Sequence, residues 1–246
     1  MVHQKSFRFP EIDLARGIAA ILMVLFNWSF ALEFLGIYSI SGSVFYWRVF
    51  PVLIGASFIF LSGLSVILAS NKIKALQQKQ IDKKYFLRGA KIFLLGIGIT
   101  AITYILYPQN TIFFGILHLI GFCVFFSPFL LKFKPWFLVL GTVLLIAGFG
   151  LQSMTINSPY LLWLGVPPSS FQTFDYWPVL PWIGVFLIGM YFGELFYSKT
   201  QRIPKEVKNP FLKPFCFLGR KSLWIYLAHQ PILIGALYLI EFRVFG

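Results

Sequence analysis

Few side chains in this sequence of 246 residues are suited to chemistry, and they stand in unusual places. His118 lies in the almost wholly apolar stretch FFGILHLIGF, residues 113 to 122, and His229 lies in YLAHQP. An imidazole titrates near neutrality, so it can serve as a general base or a proton relay. Ionisable residues in apolar helices are costly and tend to line a cavity, which favours a functional role for both rings over a purely structural one. The structural alternative is a neutral ring that hydrogen-bonds a backbone carbonyl on a neighbouring helix. Asn27, in VLFNWSF, is the third polar group of this kind, although buried amides often only join helices. Glu194 and Glu241 stand near helix ends, where they snorkel to water. Asp13 and Arg16 are spaced i, i+3 and can form a helix-end ion pair. Cys123 follows His118 by five residues, roughly 140° around a helix, so the ring is badly placed to activate its thiol. Cys123 and Cys216 show no metal-type spacing and are expected as free thiols, with no metal site.

The elements that carry these residues are set by composition. The chain is 58% hydrophobic, 20% aromatic and only 12% charged, with a mean hydropathy of +0.79. These values exclude a soluble globular domain and identify an all-α polytopic integral membrane bundle. A helix needs roughly 17 to 25 apolar residues to cross a bilayer. Seven segments meet or approach that length: Leu14 to Leu35, Phe50 to Ala69, Phe86 to Leu106, Ile112 to Leu131, Trp136 to Gln152, Leu180 to Tyr197 and Ser222 to Val244. With the N-terminus in the cytoplasm, all of the 21 basic residues except Arg48 and Arg243 fall on the inner side. The positive-inside rule therefore predicts seven transmembrane helices with the N-terminus cytoplasmic and the C-terminus outside, in a multi-pass protein of the plasma membrane. The net charge of +13 then reports topology and attraction to membrane lipids, and no nucleic-acid partner is implied. No loop is long enough for an independent core, so residues 1–246 are expected to form a single transmembrane domain. The inner loop NKIKALQQKQIDKK can form a short interfacial helix. The outer loop carries Trp163, Tyr176, Trp177 and Trp182, rings that favour headgroup depth. Gly189 and Gly193 in GMYFG form a GxxxG face, which permits a homodimer.

Depth follows from a rise of about 1.5 Å per residue. Asn27 lies roughly 16 Å beyond Arg16, and His118 about 9 Å below the outer surface, so both fall in the outer half. His229 lies about 10 Å in from the inner end of the last helix, followed by Gln230 and by Pro231, which can open or kink the helix. On the inner rim, Lys84, Arg88 and Lys91 open the third helix, while Arg220 and Lys221 open the last. Cations beside helix N-termini suit a phosphate-bearing ligand, though positive-inside flanking alone also produces them.

Five segments carry a family resemblance: EIDLARGIAAILMVLFN, FYWRVFPVLIGASFIFLSGLS, FFGILHLIGF, DYWPVLPWIGVFLIGMYFG and LGRKSLWIYLAHQPILIG. In this order they resemble the blocks of a prokaryotic family similar to the catalytic domain of heparan-alpha-glucosaminide N-acetyltransferase, within the transmembrane acyltransferase superfamily. The resemblance implies transfer of an acetyl group from cytoplasmic acetyl-CoA to an extracytoplasmic glycan or similar acceptor. His229 matches a histidine in the last helix of the lysosomal relatives, and His118 matches the prokaryotic GILHLIG block. The chain departs from related acyltransferases at Asn27, where they carry histidine eleven residues after the arginine of the RG turn. It also has no histidine between His3 and His118.

Joined to the resemblance, the residues imply a mechanism. The phosphates of acetyl-CoA, the acyl donor, rest on Arg16, Lys84, Arg88, Arg220 and Lys221, and His229 and Gln230 line the inner channel. His118 then acts as base or as acetyl-accepting nucleophile, and Asn27 donates to the oxyanion. Asp175, Tyr176 and Arg48, on the outer side, are the candidates to orient a polar acceptor. Two rival readings accompany this one. A proton-coupled transporter or flippase would use the two histidines as a relay, although the small helix count and the lack of an internal repeat weigh against it. An acyltransferase that binds acyl-CoA without turning it over is consistent with Asn27.

Overall fold

The computed structural model describes residues 9–34, 36–37, 42–72, 78–152, 154, 159–197 and 209–245. Among them all regular structure is helical. The helices are α1 (Pro10–Phe34), α2 (Phe50–Lys72), α3 (Gln78–Leu106), α4 (Ile116–Phe125), α5 (Ser127–Leu130), α6 (Phe137–Gln152), α7 (Val179–Tyr197), α8 (Lys213–Arg220) and α9 (Ser222–Phe245). Five helical stretches are long and apolar enough to cross a membrane: Pro10–Phe34, Phe45–Asn71, Gln78–Leu106, Ser127–Leu151 and Val179–Tyr197. The protein is thus an integral membrane protein.

Two predicted segments differ in extent. The third begins eight residues earlier than its apolar run, because the polar segment before it joins the helix and Gln78 donates to Asp82 one turn on (2.8 Å). That segment therefore extends α3 instead of forming a separate interfacial helix; its residues 73–77 lie outside the described residues. The fourth is shortened to ten residues, α4, about 15 Å of helix. It breaks at Phe126 (φ −84°, ψ 2°), just before Pro128, and a 3₁₀ turn over Leu131–Trp136 leads into α6.

The chain divides into two compact units, residues 1–58 with 202–246, and residues 59–201. In the first unit, α8 packs on the opening turns of α1 through two glycines. A Cβ on Gly17 would strike the Phe215 carbonyl, and one on Gly219 would strike the Asp13 carbonyl. The Cys216 thiol reaches the Pro10 carbonyl at 3.5 Å. Farther along, Gln230 of α9 bonds Asn27 of α1. Gly219, three residues before α9 starts, meets the opening turns of α1, and Gln230 farther along meets Asn27, so α1 and α9 run parallel. Near the other end of α1, Phe26 packs against Tyr46, Trp47 and Phe50, and the Tyr46 hydroxyl meets the Ser29 hydroxyl at 2.6 Å. These contacts seat the π-helical turn Phe45–Val49 that leads into α2.

The second unit is also built on close backbone approach. Gly63 and Gly189 join α2 to α7 where a side chain would meet the Phe186 and Phe60 carbonyls, and Gly193 faces Leu64 and Ile67. The GxxxG stripe is therefore spent inside the chain. Gly141 and Gly184 bring α6 against α7, and Lys134 pairs with Glu194 at 2.7 Å. Glu194 thus reaches a cation. Gly89, Gly96 and Gly121 set α4 against α3, and the buried Tyr85 hydroxyl donates to the Val66 carbonyl (2.9 Å).

The glycines make a testable contrast. Gly219→Ala forces a methyl group into backbone and is expected to cost about 1–3 kcal/mol. Gly98, whose added Cβ would meet nothing within 4 Å, should accept alanine neutrally or with a gain of up to about 1 kcal/mol. Reversible unfolding in mixed micelles measures both.

Candidate functional site

The second unit places His118 at the start of α4. The first N–H groups of a helix lack intrahelical partners, a serious cost in a chain that lies in lipid. Two side chains meet them here. His118, three residues into the helix, accepts from the Gly115 N–H through Nδ1 (3.2 Å), and Asp175 accepts from the Ile116 N–H through Oδ2 (3.0 Å). Gly115 is required between them, since a Cβ there would come within 2.6 Å of the Asp175 carboxylate.

The proton count follows from these bonds. Nδ1 uses its lone pair to accept, so in the neutral ring Nε2 carries the hydrogen. It lies 3.3 Å from Thr100 Oγ1. Thr100 in turn donates to the Ile112 carbonyl at 2.5 Å, and Thr103 Oγ1 accepts from the Ile112 N–H at 3.2 Å. Both His118 nitrogens are engaged. The ring is only 3% exposed, lies against Phe93 and Phe114, and fits because Gly96 has no side chain to block it. In this arrangement the ring has no lone pair to take a proton from a substrate.

Asp175 and Tyr176 are engaged in the same way. Asp175 Oδ1 accepts from the Trp177 indole (2.5 Å), and backbone bonds from Phe174 to Asn110 and from Trp177 to Phe114 lay residues 174–177 along the entry to α4. The Tyr176 hydroxyl donates to the Leu162 carbonyl (2.6 Å), and burial pushes this phenol up to about 12, so it stays protonated.

The first unit brings together Asn27 and Gln230. Gln230 Nε2 donates to Asn27 Oδ1 at 2.7 Å, and Asn27 Nδ2 donates to the Met23 carbonyl at 2.9 Å. The second Nδ2 hydrogen of Asn27 is left for another acceptor. His229, next to Gln230, is buried. Its Nδ1 lies 2.6 Å from the Tyr226 carbonyl. A carbonyl only accepts, so Nδ1 carries the hydrogen and the neutral ring keeps its lone pair on Nε2. The two histidines therefore hold opposite tautomers.

The cations sort by element. Arg16 precedes Gly17, and Arg220 and Lys221 follow Gly219, so the α1–α8 crossing gathers these three at one end of the first unit. Arg220 also lies over the Phe217 ring at 5.9 Å. Lys84 and Arg88 are exposed, one turn apart on α3, and Arg48 is exposed on the π-helical turn. Sequence reasoning missed Thr100 and Tyr226, and it read Gly115 only as a packing glycine and Trp177 only as a headgroup-level ring. The one available signal was Thr100 with Thr103 at i, i+3 in an otherwise apolar helix.

In comparison with known families, a model described as heparan-alpha-glucosaminide N-acetyltransferase, catalytic, matches residues 8–231. No curated protein matches the chain.

Nitrogen-15 spectra of histidine-labelled protein should show a hydrogen on Nε2 of His118 and on Nδ1 of His229. His118→Ala leaves the Gly115 N–H without its acceptor and is expected to cost about 1–3 kcal/mol in unfolding experiments, as should Asp175→Ala through the Ile116 N–H.

Proposed function

The chain belongs to the heparan-alpha-glucosaminide N-acetyltransferase catalytic family, and from that premise we propose that it passes an acetyl group from cytoplasmic acetyl-CoA to the amine or hydroxyl of an extracytoplasmic sugar or glycan. Membership implies a transmembrane acetyltransferase; the donor, the acceptor and the direction are our reading. The observation that carries it is the Nδ1–H bond of His229 to Tyr226, which fixes the ring and leaves the neutral ring's lone pair on Nε2. That is the arrangement general-base catalysis needs.

In the proposed reaction, Nε2 of His229 takes the proton of the acceptor as its heteroatom attacks the thioester carbonyl. Asn27, oriented by Gln230, donates its second Nδ2 hydrogen to the oxyanion. The tetrahedral intermediate then expels the CoA thiolate, which recovers the proton from His229. Arg16, Arg220 and Lys221 of the first unit bind the phosphates of CoA; Lys84 and Arg88, exposed on α3, are the second unit's own candidates for a phosphate. His118 and Asp175 are positioning residues that hold the start of α4, and Tyr176 and Arg48 are acceptor contacts. The role of base thus passes from His118 to His229, because only the latter keeps a lone pair.

Seven crossings of the plasma membrane, with the N-terminus cytoplasmic and the C-terminus outside, accompany this reading. The parallel run of α1 and α9 supports it, since two parallel spanning helices require an odd number of crossings between them, five in this reading. The family match extends over parts of both compact units, which supports their working as one catalytic domain.

Calorimetric titration with acetyl-CoA, paired with transfer of labelled acetyl to glucosamine as probe acceptor, tests the assignment. His229→Ala should bind acetyl-CoA yet lose about 10²–10⁴-fold in turnover. Asn27→Ala should lose about 10²–10³-fold. Full turnover by His229→Ala would return the role of base to another group. Absence of acetyl-CoA binding by folded wild-type protein would remove the proposal and favour transport.

A further inference from the structure

We propose that the outward face of α8 is a binding surface for the anionic headgroup layer of the cytoplasmic leaflet. The helix has two unlike sides. Cys216 and Gly219 are buried on α1, whereas Phe211 is 81% exposed, Phe217 53%, Phe215 37% and Leu212 37%. Lys213, at the start of the helix, is exposed among them. Asn209 fixes the approach, since its side chain accepts from the Phe211 N–H (3.0 Å) and holds the 3₁₀ turn Pro210–Leu212 that presents Phe211.

Depth identifies the occupant. The contacts of α8 fall on Pro10, Asp13 and Gly17 of α1, all within the first two turns of a membrane-length helix. That part of α1 also carries Glu11, Asp13 and Arg16, so it lies at headgroup level and not in hydrocarbon. An eight-residue helix clamped there is too short to span and is amphipathic. Its exposed rings can bury only in the boundary between headgroups and acyl chains, as an interfacial helix does. Lys213 then meets lipid phosphate, at a value of about fivefold in affinity for one lysine at an anionic surface. The positive charge of this end selects an anionic leaflet over a zwitterionic one.

The test uses the full chain in nanodiscs of phosphatidylcholine, alone or with increasing phosphatidylglycerol. Spin labels at Phe211→Cys and Phe217→Cys report collision with oxygen, which concentrates in lipid, against a nickel chelate, which stays in water. Both native cysteines are buried, and unlabelled wild-type protein checks that they stay unreacted. The expected result is oxygen-dominated collision at both positions, deepening as phosphatidylglycerol is added. In Lys213→Gln the phosphatidylglycerol midpoint should rise by about fivefold. Chelate-dominated collision in every lipid would overturn the proposal, as would a second protein found covering α8. Equal immersion in both lipids, or an unmoved midpoint in Lys213→Gln, would overturn its anionic part.

Discussion

A backbone carried into hydrocarbon must satisfy its own N–H and C=O groups, because no water is there to do it. Long helices meet this demand by themselves over most of their length. It becomes acute where a helix starts or stops inside the membrane domain, and α4 is such a place. Its ten residues are reached through the non-helical run 111–115, so several peptide groups need partners from elsewhere. Thr100 and Thr103 take both polar groups of Ile112, His118 takes the Gly115 N–H and Asp175 takes that of Ile116. A histidine in FFGILHLIGF is thus explained first by backbone chemistry. Its burial is affordable because both nitrogens are bonded, the condition under which a buried polar network stiffens a fold.

The same accounting separates the two histidines by what each can still do. A ring that accepts on one nitrogen and donates from the other is complete. A ring that donates from Nδ1 to a carbonyl, as His229 does to Tyr226, is oriented and keeps a lone pair on Nε2. His118 caps the first turn of α4 and His229 lies inside α9, so the partner at Nδ1 is an N–H for the first ring and a carbonyl for the second. Asn27 follows similar logic: its oxygen is taken by Gln230 and one hydrogen by Met23, which fixes the plane of the amide.

Helical class and most segment positions were legible because apolar length is read directly from sequence. The glycines were recognised as packing residues, but not which neighbour each admits, since that depends on pairing of distant segments. Gly189 and Gly193 show the limit: the motif is visible, yet whether it serves another chain or α2 depends on where Phe60 and Leu64 lie. The ends of α4 were misjudged because hydropathy does not distinguish an apolar helix from an apolar irregular segment such as Ile112 to Phe114. Tautomers were illegible altogether. They depend on the Gly115 N–H three residues back for His118 and on the Tyr226 carbonyl three residues back for His229, two partners at one spacing that impose opposite tautomers.

The first unit joins the two ends of the chain, and this has a consequence for biogenesis. Gly17 meets the α8 backbone near Gly219, about 200 residues later. At synthesis rates of about 5–20 residues per second, α1 waits roughly 10–40 s before its partner leaves the ribosome. During that interval the second unit, whose helices are contiguous in sequence, can assemble. The glycine surface of α1 meanwhile remains uncovered, open to lipid or to an insertion chaperone. A mutation at this crossing would therefore act late, on a protein already inserted and half built, and its product would be a substrate for membrane quality control.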